Sequence, residues 1–216
     1  MTQNRSSAVM QQRSEPHGSL DDFPTPPWAT RALCAALIAG GHQLGQMNCR
    51  EPAANQGHMV RPLDETFHHV LASDIFDYGA GYPVQDYLFG PPPPLVDWTI
   101  TNPPFRLAEQ FIARALTTSR HGVAMIVRSA FLEGVGRHKG LFSKTPPSLV
   151  LQFTERVVMH RAKLSAKGST ATAYCWLVWE LGGVGGPWSG RNQTSFDWIA
   201  PCRKRLERPS DYEAAP

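Results

Sequence analysis

The sequence lacks the features of a membrane-spanning or exported protein. None of its 216 residues lie in a run approaching the roughly 18 apolar residues that a membrane-spanning helix needs. Residues 1–20 are rich in Gln, Ser and Arg and contain no apolar core of a signal peptide. We therefore expect a cytoplasmic protein with a disordered lead over residues 1–20.

Motifs for metal binding and disulfide bonding are also missing. The four cysteines are Cys34, Cys49, Cys175 and Cys202, and no two of them form a Cys-x-x-Cys pair. The eight histidines form no His-Glu-x-x-His motif. We expect neither a metal site nor a disulfide framework, and we interpret the cysteines as small buried residues.

Charge is unevenly distributed along the chain. Residues 1–100 carry 5 Lys/Arg and 10 Asp/Glu, whereas residues 101–170 carry 11 Lys/Arg and 3 Asp/Glu. A basic segment of this kind fits an anionic polymer such as a nucleic acid, although an ordinary solvated face would give the same count. The 42% hydrophobic content is typical of a single globular domain.

The hydrophobic pattern predicts alternating helices and strands. Helices are predicted at residues 29–39, 58–67 and 108–116. Strands are predicted at residues 46–51, 70–73, 97–101, 122–127, 148–153 and 172–180, with residues 84–88 either a short strand or a turn. No helical pattern separates the last two strands, which favours an antiparallel pairing between them.

The most informative stretch runs from Asp97 to Phe105. An apolar strand ends there at Asn102, because the two prolines that follow have no backbone N–H for a sheet ladder. In an open α/β sheet, ligands bind just beyond the carboxyl ends of the strands. The carboxamide of Asn102, the carbonyls of Pro103 and Pro104 and the ring of Phe105 therefore form a platform for a flat molecule with an amino group.

Acidic residues follow the first two predicted strands. Glu51 precedes a small-residue turn, and Asp74 lies 23 residues further on, where βαβ units hold the hydroxyls of a ribose. Asn55 suits a left-handed backbone position in the turn, and Gly57 and His58 lead into the helix that follows. A strand, loop and helix in this order are the usual setting for a nucleotide-like cofactor.

Two sequence features have more than one interpretation. Thr25, Pro26 and Pro27 begin the first helix, with Thr25 as its cap, and they also form a rigid apolar lip before the first strand. Asp86 either contacts the amino group of an adenine ring or caps a helix.

Taken in order, Glu51, Asp74, Asp86 and Asn102-Pro103-Pro104-Phe105 resemble the motifs of class I S-adenosylmethionine-dependent methyltransferases. More narrowly, the chain resembles the N6-adenine DNA methyltransferases, which carry an Asn/Asp/Ser-Pro-Pro-Tyr/Phe signature and a lip similar to Thr25-Pro26-Pro27. The resemblance implies a Rossmann-like class I α/β fold. Its mostly parallel seven-stranded sheet has an antiparallel last strand, and helices cover both faces.

The same resemblance implies a domain division and a set of site residues. Residues 21–181 are the methyltransferase domain, and residues 182–216 are a Gly-rich, basic tail that we expect to be poorly ordered. The implied catalytic residues are Asn102, Pro103, Pro104 and Phe105. The implied cofactor-binding residues are Thr25, Pro26, Pro27, Glu51, Pro52, Ala53, Gly57, His58, Asp74, Ile75, Asp86, Tyr87 and Asn102. The nucleic-acid-binding residues are predicted from the charge of the basic segment instead, and they are Arg106, Arg137, Lys139, Arg161, Lys163 and Lys167.

Three functions fit these residues. The first is methyl transfer from S-adenosylmethionine to the N6 amine of adenine in DNA, with no metal and with the oligomeric state left open. The second keeps the chemistry and changes the acceptor to RNA or to a protein glutamine. The third is a non-catalytic nucleic-acid-binding relative, which cofactor binding would distinguish from either enzyme.

Overall fold

The computed structural model describes residues 21–182 and 193–213. Seven strands form one sheet: β1 (Asn48–Glu51), β2 (His69–Ala72), β3 (Val96–Thr101), β4 (Ser119–Arg128), β5 (Leu149–Phe153), β6 (Tyr174–Glu180) and β7 (Ser195–Ile199). Their spatial order is β2-β1-β3-β4-β6-β5-β7. Every pairing is parallel except those of β6, which runs antiparallel to both β4 and β5. The predicted mostly parallel seven-stranded sheet is confirmed, and its antiparallel strand is β6.

Helices lie on both faces of this sheet. They are α1 (Pro27–Ala39), α2 (Val60–Asp64), α3 (Ala108–Thr118), α4 (Val135–Arg137) and α5 (Arg203–Leu206). Short 3-10 turns occupy Leu44–Gln46, Ser129–Leu132 and Pro209–Tyr212, and one π turn occupies His138–Phe142. Helices α1 and α2 pack on one face of the sheet and α3 packs on the other.

Two hydrophobic clusters, one on each face, hold the layers together. Trp28 and Leu33 of α1 pack in the first cluster with Trp98 of β3, and Phe111 of α3 packs in the second with Met125 of β4. All five side chains are almost fully buried. Burial of a large apolar side chain contributes about 1.5–3 kcal/mol, so the clusters anchor the strands whose ends carry the candidate site.

The structure corrects the predicted start of α1. The helix is preceded by Pro26, and no side chain caps it. Instead, the hydroxyl of Thr25 is buried without a hydrogen-bond partner among the described residues. Proline at the first helical position needs no capped N–H, because it has none. Thr25 is therefore available for a role other than capping.

Residues 84–88 are not a strand, and the predicted helix over 58–67 is shorter. Val84 forms a single bridge with Asp74, and Asp86 Oδ1 then accepts a hydrogen bond from the backbone N–H of Leu88, which turns the chain. Helix α2 covers only Val60–Asp64, with turns on either side. The interpretation of Asp86 as a helix cap is wrong, because a turn follows it.

The expectation of a poorly ordered tail is wrong for residues 195–212. Strand β7 pairs with β5 from Leu149↔Ser195 to Phe153↔Ile199, and it supplies the seventh strand in place of residues 84–88. Its Ser-Phe-Asp-Trp-Ile sequence has the alternation of an edge strand. The predicted lead at 1–20 and the Gly-rich part of the tail at 183–192 lie outside the described residues.

A buried ion pair ties the C-terminal segment to α1. The Arg31 guanidinium donates two hydrogen bonds of 2.8 Å to the carboxylate of Asp211. It also donates to Glu65 at 2.9 and 2.8 Å and to the backbone carbonyl of Leu206 at 2.8 Å. Both Arg31 and Asp211 are buried, so removal of Arg31 would leave Asp211 without its counter-charge, whereas removal of Asp211 would leave Arg31 paired with Glu65.

All four cysteines are buried and free, as predicted. Within the described ranges, no helix has the length and apolarity to cross a membrane. No group of three or more His, Cys, Asp or Glu side chains there is arranged to hold a metal ion.

Candidate functional site

Three neighbouring parallel strands end at the candidate site. Pairing of Glu51 with Ala72 aligns β1 with β2, and pairing of Arg50 with Thr99 aligns β1 with β3. Glu51, Asp74 and Asn102 therefore follow adjacent strands at one edge of the sheet. This register brings three of the predicted site residues to the same end of the sheet.

The carboxamide of Asn102 has a defined orientation. Its Nδ2 donates to the backbone carbonyl of Phe23 at 2.9 Å and lies 3.9 Å from the sulfur of Met159. The reverse orientation would place two oxygens against each other. Asn102 Oδ1 is buried and accepts no hydrogen bond from the described part of the chain. A hydrogen-bond acceptor is thus held ready at the end of β3.

Residues 21–23, which we call the strap, lie across the Asn-Pro-Pro-Phe motif. The carboxylate of Asp21 accepts a 2.7 Å hydrogen bond from the backbone N–H of Phe105, and the Phe23 and Phe105 ring centroids are 5.3 Å apart. Asp22 Oδ1 accepts a 2.6 Å hydrogen bond from the side chain of Asn55. The strap therefore joins the motif after β3 to the loop after β1.

The ring of Phe105 also contacts a cation. The Arg128 guanidinium, at the end of β4, lies 4.0 Å from the ring centroid. Arg128 and the strap residues Asp21 and Phe23 were missed by the sequence prediction, because their contacts with the motif connect distant segments. For Asp21 and Phe23, the proximity of residues 21–23 to the Thr-Pro-Pro lip could have been a signal. The sequence holds no such signal for Arg128.

Glu51 is a buried carboxyl in a region of low polarity. Its Oε1 accepts hydrogen bonds from Thr101 Oγ1 at 2.5 Å and from the backbone N–H of Ala53 at 2.9 Å. Its Oε2 is buried with no partner in residues 21–182 or 193–213. Burial raises the pKa of Glu51 from 4.5 to about 8, despite these two hydrogen bonds. The carboxyl is therefore mostly protonated at neutral pH.

The loop after β1 has the backbone geometry that its sequence predicts. Asn55 has φ = 52°, which confirms the predicted left-handed position, and its backbone N–H donates to Asp74 Oδ2 at 2.8 Å. Gly57 has φ = 82°, and a Cβ atom there would overlap the Tyr82 hydroxyl. Burial, assisted by the nearby charge of Arg61, lowers the pKa of His58 to about 4, so its ring is neutral at pH 7.

Asp74 links the loops that follow β1 and β2. In addition to the bond from Asn55, its Oδ1 accepts a 3.0 Å hydrogen bond from the backbone N–H of Phe76. Burial raises the pKa of Asp74, and the backbone N–H donors oppose this shift. The hydrogen bonds hold the carboxylate in one orientation at the end of β2.

A cavity of about 360 Å³ opens beside these strand ends. It falls in the usual range of about 300–1,000 Å³ for small-molecule sites. Exposed apolar side chains, including Ile75 at 58% and Phe89 at 81% exposure, form part of its wall. The predicted site residues that line it are Pro52, Ala53, Asp74, Ile75, Asp86, Tyr87 and Pro104.

A second cavity of only about 30 Å³ lies next to Asn102. Ala53 lines both cavities, and Thr25, Asn55 and His58 line the second together with Asn102. The strap residue Phe23 lines it as well. This volume is about that of one water molecule. Pro26 and Pro27 are buried beside it at the start of α1.

The predicted nucleic-acid-binding residues fall into two groups. Arg137 is held internally, because it stacks 4.5 Å from the Phe131 ring centroid, donates to the Phe131 carbonyl at 3.1 Å and lies 3.5 Å from Glu109. The other five residues are exposed. They are Arg106, Lys139, Arg161, Lys163 and Lys167. Residues 160–169, which we call the basic loop, touch the strap through a 2.8 Å hydrogen bond from Ala162 N–H to the Asp22 carbonyl.

Comparison with known proteins places this geometry in context. No protein-family model matches the sequence, and a search of curated proteins gave no match. Solved structures do match. A protein assigned as a class I S-adenosylmethionine-dependent methyltransferase from Listeria monocytogenes aligns with a TM-score of 0.64 at 12% identity, over 90% of this chain and 70% of its own. The fold is that of the class I methyltransferases.

Two further structures share this methyltransferase fold. A protein assigned as an RNA methyltransferase from Pyrococcus horikoshii aligns with a TM-score of 0.57 at 16% identity, over 78% of this chain and 92% of its own. The methyltransferase subunit of a type I restriction-modification system from Streptococcus thermophilus aligns with a TM-score of 0.60 at 8% identity, over 90% of this chain. The present chain spans 51% of that subunit.

Proposed function

We propose that the chain is an S-adenosylmethionine-dependent methyltransferase that modifies the N6 amine of adenine in DNA. The observation that carries the proposal is the buried Asn102 Oδ1, which has no partner among the described residues and belongs to a carboxamide oriented by the Phe23 carbonyl. Residues 21–181 form the methyltransferase domain in this proposal. The cytoplasmic location expected from the sequence remains part of it.

The larger cavity would hold the nucleoside part of the proposed cofactor, and the smaller one beside Asn102 would have to widen for the methionine part. Asp74 would hold the ribose hydroxyls, Asp86 the adenine amino group, and the Thr25-Pro26-Pro27 lip the methionine part. The buried Oε2 of Glu51 and the hydroxyl of Thr25, both without a partner among the described residues, would supply further polar groups for the methionine part. Bound S-adenosylmethionine supplies an electrophilic methyl group on a sulfonium.

The motif after β3 would activate the amine of the substrate. The lone pair of an adenine amine is delocalised into the ring, so the amine is a weak nucleophile. Asn102 Oδ1 and the main-chain carbonyl of Pro103 would accept its two hydrogens and localise the lone pair for in-line attack. Phe105 would stack on the base after it leaves the duplex, since N6 is inaccessible inside the stack.

Substrate entry would require Asp21 and Asp22 of the strap to shift, while the Phe23 ring stays in the first hydrophobic cluster. Phe23 and Thr25 line the small cavity beside Asn102, which has room for about one water molecule. The carboxylate of Asp21 accepts from the Phe105 N–H and that of Asp22 from the Asn55 side chain, and the Asp22 carbonyl accepts from the Ala162 N–H. A hydrogen bond to a charged group contributes about 1.5–3 kcal/mol, so substrate binding would have to supply several kcal/mol to release the two carboxylates.

DNA is the proposed partner because of charge. The exposed cations Arg161, Lys163 and Lys167 lie in the basic loop, which contacts the strap over the motif. Phosphate attraction through such side chains is independent of sequence. The remaining predicted cations, Arg106 and Lys139, stay part of the proposal, whereas the local contacts of Arg137 remove it.

RNA is the second candidate acceptor. The Pyrococcus protein, assigned as an RNA methyltransferase, is matched over 92% of its length. The activation of a planar amine by Asn102 and Pro103 would be the same for either nucleic acid.

The test is methyl transfer with labelled S-adenosylmethionine. Unmodified DNA, RNA and total protein are incubated in parallel, and the labelled product is digested to nucleosides or amino acids and identified. The proposal expects label in DNA as N6-methyladenine. Label in RNA alone would favour the second candidate. Cofactor binding by calorimetry without label in any acceptor would instead support a non-catalytic relative.

A further inference from the structure

The Phe105 ring has two neighbours of different character. Phe23 is only 4% exposed and belongs to the first hydrophobic cluster. Arg128 is partly exposed, and its guanidinium lies 4.0 Å from the ring centroid. A buried ring in a packed cluster is costly to displace, whereas a partly exposed guanidinium is not. Arg128 is therefore the neighbour that can move away from the Phe105 ring.

The charge of Arg128 is not neutralised by a carboxylate within the described ranges. Its Nε is buried without a hydrogen-bond partner there, and its one described side-chain contact is the Phe105 ring. The comparable pair of Arg137 and Phe131 is different. Arg137 is anchored by the Phe131 carbonyl and by Glu109, so its position is fixed.

A guanidinium is flat, stacks on aromatic rings and binds phosphate through paired N–H donors. These are the properties of a group that can exchange a ring contact for a phosphate contact. Arg128 ends β4, the strand next to β3, and so lies at the same edge of the sheet as Asn102.

We propose that Arg128 covers the face of Phe105 on which the target base stacks, and that it moves on substrate binding to hold the phosphate beside that base. The inference rests on the proposed nucleic-acid substrate. It assigns two successive contacts to Arg128: the Phe105 ring in the free enzyme and a phosphate oxygen in the complex. The charge without a carboxylate partner is then neutralised by the substrate.

Binding of two short thymidine strands tests this assignment without methyl transfer. Each strand carries one central 2-aminopurine, whose fluorescence is quenched when it stacks on Phe105. One strand has ordinary phosphodiesters and the other has neutral methylphosphonates on both sides of the probe base. Affinity is measured for the wild type, for Arg128→Met and for Arg120→Met. Arg120 lies at the opposite end of the same strand and is half exposed, which makes it a matched control.

The wild type and Arg120→Met are expected to prefer the phosphodiester strand by about tenfold, the usual effect of a hydrogen bond to a charged group. Arg128→Met should bind both strands equally and should bind the neutral strand at least as tightly as the wild type, because the ring is no longer covered. Probe quenching by Arg128→Met shows that its site still forms, and Phe105→Leu should abolish that quenching.

Two results would overturn the inference. If Arg128→Met keeps the phosphodiester preference, Arg128 does not bind that phosphate. If Arg128→Met binds the neutral strand more weakly than the wild type, the guanidinium supports the base pocket and does not vacate it. A wild type that binds cofactor but neither strand would overturn the proposed substrate class together with the inference.

Discussion

Replacement of Glu51 by Gln should make the protein more stable at alkaline pH. The Glu51 carboxyl is fully buried and has a pKa of about 8, compared with 4.5 in an exposed chain. Between pH 4.5 and pH 8, Glu51 therefore keeps its proton in the folded state but loses it in the unfolded state. At about 1.36 kcal/mol per pKa unit, the difference costs the wild type about 5 kcal/mol of stability once the pH exceeds 8.

The sign and the pH range follow from this pKa. Stability from the protonated Glu51 is fully present below pH 4.5 and is lost as the pH rises to about 8. Glutamine resembles the protonated carboxyl and does not titrate, so Glu51→Gln should escape this loss while still accepting the hydrogen bonds from Thr101 and Ala53.

Urea unfolding of both proteins at a series of pH values between 5 and 9 measures the effect. The free energy of unfolding of Glu51→Gln minus that of the wild type should increase with pH up to about 8 and then level off. A difference that stays constant from pH 5 to 9 would refute the reasoning, because it would mean that Glu51 ionises like an exposed carboxyl. The proton on Glu51 would then contribute nothing to the stability of the wild type.

Three further changes test the proposed function. Asn102→Ala should lower the rate of methyl transfer by about 10²–10³-fold with cofactor binding retained, because it removes the oriented acceptor; wild-type turnover would exclude Asn102 from the mechanism. Asp74→Ala should weaken cofactor binding by about tenfold or more in calorimetry, and an unchanged affinity would contradict the ribose contact. Alanine replacement of the basic-loop cations should reduce the slope of log affinity against log salt by about 2.7, if all three contact phosphates; an unchanged slope would count against them. The three cations are Arg161, Lys163 and Lys167.

The parts of the site predicted from sequence are those determined by local chemistry. The prolines after Asn102 end β3 whatever surrounds them, and Asn55 is one of the few residues other than glycine that adopt a positive φ readily. Strand register then brings Glu51, Asp74 and Asn102 to one edge, because parallel strands end on the same side. The mostly parallel seven-stranded sheet with helices on both faces was expected from the resemblance to the class I methyltransferases, and the order of the strands was not predicted.

The features that sequence reasoning missed depend on contacts between residues that are far apart in the chain. The strap contact of Asp21 with Phe105 spans 84 positions, and neither residue identifies the other in the sequence. Strand β7 was missed because a Gly-rich stretch precedes it and its neighbour in the sheet is β5, which lies far earlier in the chain. For residues 84–88 the local signal existed, since Asp86 is a residue type that turns the chain by bonding the N–H two positions later.

The ion pair between Arg31 and Asp211 has a consequence for the order in which the protein is made. The two residues are 180 positions apart, so at about 5–20 residues per second the ribosome needs about 10–40 s to supply the second after the first. During that interval Arg31 can pair with Glu65, which is only 34 positions away, but it lacks its buried partner. The contact between α1 and the C-terminal segment is therefore a late event, completed only after the strands that carry the candidate site have been synthesised. A chain stalled before residue 211 would hold every residue of the proposed catalytic motif and still lack the ion pair that joins α1 to the C-terminal segment.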